Sequence, residues 1–158
     1  MERDPVGPGQ ESVWDYPRPP HLERTDAVVV VRLGDGELAR SHRALRTLET
    51  SHPPVYYLPF ADVEMTRLTQ GDEVTWCEYK GAAHYWEAEG VPSIGWSYPS
   101  PSPGFEALAG HIAFYPGRVS EATIDGEVVR AQDGDFYGGW ITSRIVGPFK
   151  GALGTSYW

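Results

Sequence analysis

The sequence predicts a mainly antiparallel β protein with roughly six to eight short strands. Three observations carry this. Runs of β-branched and aromatic residues recur in short blocks, such as AVVVVRL at 27–33 and HIAFYP at 111–116. Turn signals separate them, above all the Asp-Gly of ATIDGEVVR at 122–130. No strand–helix–strand rhythm occurs, and each helical candidate lasts one or two turns.

Taken in order, residues 1–24 are rich in Pro, Gly and charge, and WDYPRPP at 14–20 sets two aromatics among three prolines. Proline forbids regular helix there. The segment reads as an extended arm pinned to the domain by Trp14 and Tyr16, or equally as a tail for a partner. AVVVVRL is a strand, GDGE at 34–37 its turn and ELARS at 37–41 the returning strand. HRALRTLE at 42–49 spaces Leu45 from Leu48, and Arg43 from Arg46, by three residues. That predicts one or two helical turns with an apolar and a basic stripe. HPPVYYLP at 52–59 is a short strand, and a brief helical turn is expected over 63–68. EVTWCEYKGAAHYWEAEG at 73–90 is a hairpin turning at Gly81. IGWSYP at 94–99 and HIAFYP are strands, with FEAL at 105–108 a helical turn between them. After the Asp-Gly hairpin, one strand is expected over 140–146, before a Gly-rich tail.

Within the 73–90 hairpin, alternation puts Trp76, Glu78 and Lys80 on one face and Cys77 and Tyr79 on the other. A turn centred on Gly81 sets Glu78 opposite His84 and Trp76 opposite Trp86.

The bulk numbers bound the function. A chain of 158 residues with 41% hydrophobic and 22% charged residues fits one globular domain. It divides into a proline-rich arm, 1–24, and a single domain, 25–158. No run reaches the length of a membrane span. The acidic start lacks the basic and apolar segments of a signal peptide, so a cytoplasmic location is expected and no membrane partner. A formal charge of -9 argues against nucleic acid. One cysteine and five dispersed histidines give neither a disulfide framework nor a zinc ligand set. No metal or other cofactor is expected. Edge strands leave monomer or homodimer open.

Five blocks together carry a resemblance: SHRALRTLETSHPPVYYLP at 41–59, TWCEYKGAAHYW at 75–86, WSYP at 96–99, IAFYP at 112–116 and FYGGWITSRIVGPFKG at 136–151. They resemble domain-of-unknown-function family 427, a mostly bacterial family that sometimes carries a nucleotidyltransferase label. The resemblance implies a β-tent-like fold: two small antiparallel sheets meeting at an angle, with a ligand groove between them. Relatives of that fold bind zinc through paired Cys-x-x-Cys motifs, which this chain lacks. Nucleotidyl transfer uses paired carboxylates to hold Mg²⁺. Here Asp133 and Asp135 make only DGD, in a turn context.

The candidate site residues follow. Glu78 and His84 form the catalytic option, as general acid or base and its partner; the plain alternative is a solvated hairpin face. Arg43 and Arg46 offer two fork donors for a carboxylate or phosphate, or are surface arginines. Trp76, Lys80 and Tyr98 would bind ligand by stacking and charge. Cys77 reads as a small buried hydrophobe. Glu49, Thr50, Ser51 and His52 lie in a loop of the kind that carries function, or Thr50 and Ser51 merely cap exposed backbone groups; Lys150 either closes over a groove or sits in solvent. The leading expectation is a small-molecule-binding domain with an aromatic groove. The alternatives are a metal-independent enzyme using Glu78, and an interaction module using the arm and hairpin edges.

Overall fold

The computed structural model describes residues 1–134 and 136–158. Among the described residues fifteen strands make up most of the regular structure. They are β1 Glu11–Ser12, β2 His21–Arg24, β3 Val29–Leu33, β4 Gly36–Ser41, β5 Leu45–Leu48, β6 Val55–Pro59, β7 Thr69–Cys77 and β8 Gly81–Ala88. The remainder are β9 Val91–Ser97, β10 His111–Phe114, β11 Glu121–Ile124, β12 Glu127–Val128, β13 Arg130–Ala131, β14 Trp140–Ile141 and β15 Ile145–Val146. Among the described residues the helical pieces are four single 3-10 turns, including Glu106–Leu108 where FEAL predicts one. None is long and apolar enough to cross a membrane.

The protein is mainly β, with open antiparallel sheets. The largest has seven strands in the order β2-β5-β6-β10-β9-β8-β7, larger than the small sheets expected. The second has four, in the order β12-β11-β3-β4. Two strand pairs complete the set: β13 with β14, and β1 running parallel to β15. The expected single strand over 140–146 is thus two short ones, serving different partners. The Asp-Gly hairpin forms as its sequence demands, with Asp125 at φ 49 and Gly126 at φ 83. Both are left-handed, as a two-residue turn of matching twist requires.

HRALRTLE is not helical. Its core, β5, is an interior strand that pairs Arg46 with Glu23 of β2 and with Tyr56 of β6. Two ladders of backbone hydrogen bonds outweigh a three-residue spacing sustained for a single repeat. Leu45 and Leu48, assigned to one helical stripe, consequently join different apolar clusters.

Strict alternation gives the seven-stranded sheet two different faces. Tyr56 and Leu58 of β6, and Ile112 and Phe114 of β10, pack with Val29, Val31 and Leu38 of the four-stranded sheet. Tyr57 and Ala113, between them in sequence, belong to a second cluster with Tyr85, Trp96, Tyr98 and Tyr115. The first face is closed by another sheet. The second is closed only in part, by loops.

The N-terminal segment lies against the rest of the chain. Val13 and Tyr16 pack with Leu48 and Ile145. The Trp14 indole Nε1 donates to the Pro148 carbonyl at 2.8 Å.

Candidate functional site

The β7–β8 hairpin pairs Val74 with His84, Trp76 with Ala82 and Cys77 with Gly81. The turn is therefore Glu78-Tyr79-Lys80, centred on Tyr79 rather than on Gly81. Glu78 does not face His84, and Trp76 does not face Trp86. Gly81 serves a different need: at φ 107, a Cβ there would meet Ser102 Oγ at 3.2 Å and the Ser100 carbonyl at 3.3 Å. The loop after β9 can thus press on the turn, where the Ser102 N–H donates to the Lys80 carbonyl at 2.9 Å.

The face assignment changes as well. Thr75 and Cys77 share the face of Tyr85, and Thr75 Oγ1 lies 2.8 Å from the Tyr85 hydroxyl. This Cys77 face borders the second aromatic cluster. Trp76, of opposite parity, is 73% exposed and stands at the rim. Lys80 escapes the alternation because it lies in the turn, and its side chain returns to the Cys77 side.

A cleft of about 270 Å³ opens over this face. Its floor holds Tyr57, Tyr85, Trp96, Tyr98 and Tyr115. Trp96 and Tyr115 rings are 4.6 Å apart between centroids, and Tyr57 packs its edge on Trp96 at 6.2 Å. Burial pushes the phenols of Tyr57, Tyr98 and Tyr115 above their ordinary range, so all three stay neutral. A wall comes from the loop carrying Tyr137 and Gly138. A Cβ at Gly138 would fall 2.3 Å from Trp96 Cη2, so only glycine lets this loop lie on the indole.

Lys80 is the buried charged group of the cleft. It is 9% exposed, and its Nζ donates to Cys77 Sγ at 3.7 Å, a weak contact. Among the described residues no carboxylate lies in salt-bridge reach of it. Burial pulls its pKa down, but its electrostatic interactions with Tyr57, Cys77 and Glu49 more than offset this and raise it. Lys80 is an ammonium at neutral pH.

His52 faces the same cleft from the β5–β6 loop. The Gln132 amide Oε1 accepts from the Gly139 N–H at 3.1 Å, so Nε2 is its donor end. That Nε2 donates to the Lys150 carbonyl at 2.6 Å and faces His52 Nδ1 at 3.4 Å. The network thus assigns the imidazole proton to Nε2, which faces Glu49 Oε2 at 3.6 Å. Burial, with the positive charges of Lys150, Arg18 and Lys80, lowers the His52 pKa to about 4. The ring is a neutral donor with its acceptor nitrogen already engaged.

Of the residues predicted from sequence, Trp76, Glu78, Lys80 and Tyr98 line this cleft. Glu78 is exposed on the turn. His84 points to the opposite face, with its Nδ1 3.0 Å from Gln70 Nε2. Arg43 and Arg46 are not in the cleft, and they share no helical face. Arg43 forks onto Asp62 at 2.9 and 2.8 Å, and this holds the Asp62 pKa near 2. Arg46 is 15% exposed and bonds Glu11 at 2.6 Å and Glu23 at 2.7 Å. Both guanidiniums are consumed by the protein's own carboxylates. Gln132 and Tyr137 escaped the sequence reading, because they arrive on irregular loops without periodicity. The Gly138-Gly139 pair was the available signal.

Among the described residues no three His, Cys, Asp or Glu side chains gather as a metal centre would require. The class this fold defines is a mainly β protein whose largest open sheet carries an aromatic cleft on one face. The chain belongs to domain-of-unknown-function family 427: the family model described as Domain of unknown function (DUF427) matches residues 21–126, two thirds of its length. The match includes Lys80 and the aromatic floor, and it ends before Gln132, Tyr137 and Lys150. No curated protein matches the chain.

Proposed function

We propose that this protein binds a small organic molecule in the cleft over Trp96 and Tyr98. One observation carries the reading. Lys80 is a 9% exposed ammonium whose partner is a sulfur rather than a carboxylate. Natural folds rarely bury a charge without a counter-charge. A ligand held by aromatic walls and this cation would supply what the fold leaves out.

The general acid–base reading loses its pair, because Glu78 lies in the exposed turn at the cleft and His84 sits on β8 against Gln70, outside it. Binding is therefore proposed without a reaction. The test is a small-molecule screen followed by the indole N–H signals of ¹⁵N-labelled protein. Binding compounds should move the Trp96 signal and leave Trp140 in the closed core unmoved. A screen to millimolar concentration that never moves Trp96 would sink the reading.

A further inference from the structure

Resting on that reading, we propose that the cleft selects a planar organic acid with one negative charge, its carboxylate seated on the Lys80 ammonium. The argument begins with unused donors. An ammonium has three N–H bonds, and Lys80 spends one on Cys77 Sγ at 3.7 Å. Tyr57, which Lys80 acts on electrostatically, is a neutral phenol that already accepts from Tyr98. A headgroup that only accepts, with two oxygens, meets these donors better than a neutral amide does.

Charge balance sets the number at one. The cleft walls carry Lys80 and Lys150, but also Glu49 and Glu78. Glu49 is matched by Arg18 at 3.4 Å, from outside the cleft. Lys150 Nζ already donates to the Trp158 carbonyl at 3.3 Å. With Glu49 matched, the lining leaves two lysines against Glu78, a net of one positive charge, and a second negative charge would exceed it. A phosphate ester carries about −1.5 to −2 at neutral pH, so it is disfavoured, and a nucleoside triphosphate more so. Volume agrees: about 270 Å³ is below the usual range for larger ligands. Planarity follows from the rings, with Trp96 in the floor and Trp76 and Phe136, 73% and 65% exposed, at the rim.

The experiment is calorimetry on the full chain with benzoate, benzamide and phenyl phosphate. Benzoate should bind at least tenfold more tightly than benzamide and more tightly than phenyl phosphate. Lys80→Met should abolish the benzoate preference, bringing benzoate to the affinity of benzamide. A circular dichroism melt confirms that the variant folds, and the wild-type ranking stands without it. If benzamide equals benzoate, or phenyl phosphate exceeds it, charge selection is overturned while the cleft reading survives. If Lys80→Met keeps the benzoate preference, the carboxylate sits elsewhere and the proposal fails. If none of the three binds but other compounds move the Trp96 signal, the acid class is wrong and the cleft is right. If nothing at all binds, both readings fall together.

Discussion

Arg46 and Lys80 are two buried cations of the same seven-stranded sheet, and they are treated differently. Arg46, on β5, is 15% exposed and takes two carboxylates, Glu11 and Glu23. Burial lowers its pKa, but those two hydrogen bonds outweigh the burial and raise it. Lys80, in the β7–β8 turn, is 9% exposed and takes a thiol. The difference follows the faces of the sheet. Arg46 ties the N-terminal segment to the sheet, and a structural cation is saturated by its own chain. Lys80 looks into a cleft with one donor on a thiol and no carboxylate in reach among the described residues, which is how a cation reserved for a ligand looks.

Four variants or titrations sharpen that contrast. The closed face should respond most. Phe114→Ala empties a fully buried site between the sheets, and should cost about 3–5 kcal/mol in urea unfolding. A loss under ~1 kcal/mol would mean the two faces are equally loose. Next comes Arg46→Met. Glu11 and Glu23 are each 40% exposed and regain water, so the expected loss is about 1–2 kcal/mol. Amide exchange of Glu11–Asp15 should speed up with it, and unchanged exchange would deny Arg46 its tying role.

The pH response belongs to the cleft. His52 is held neutral, with its pKa lowered from an ordinary 6.5 to about 4. The unfolded chain binds that proton first, so its share of stability is complete above pH 6.5 and drains as the pH falls towards 4. His52→Gln should flatten the stability profile in that window, and an unaltered slope would refute a neutral His52. Asp62, lowered from 3.8 to about 2 chiefly by its Arg43 hydrogen bonds, acts in a separate window. Its contribution is intact above 3.8 and lost as the pH falls through 2. Smallest of all is Lys80→Met. No ion pair is broken and a buried charge is removed, so stability should stay within ~1 kcal/mol of wild type or rise. A drop beyond ~2 kcal/mol would show that Lys80 is structural, like Arg46.

The sheet-forming runs were legible because they are local: β-branched residues at 27–33 and the Asp-Gly turn at 125–126 name their own conformation. HRALRTLE was not, since strand β5 exists through partners at Glu23 and Tyr56 that no local window contains. Four site residues, Trp76, Glu78, Lys80 and Tyr98, were picked from aromatic and polar density. Their geometry was still misread, because counting alternation through a turn carried Lys80 to the wrong face. Arg43 and Arg46 looked available only because their carboxylate partners lie 19, 23 and 35 residues away. His52, Gln132 and Tyr137 meet across two loops, a convergence that leaves no periodic trace.

Gly138 lies so close to Trp96 that a single methyl would overlap the indole. Trp96 has no room to yield, since Tyr115 and Tyr57 flank it. The missing atom therefore acts as the gauge of the cleft: it sets how far the covering loop stands from the floor. Gly138→Ala would leave every polar group of the cleft in the sequence and still change the thickness of the guest it accepts.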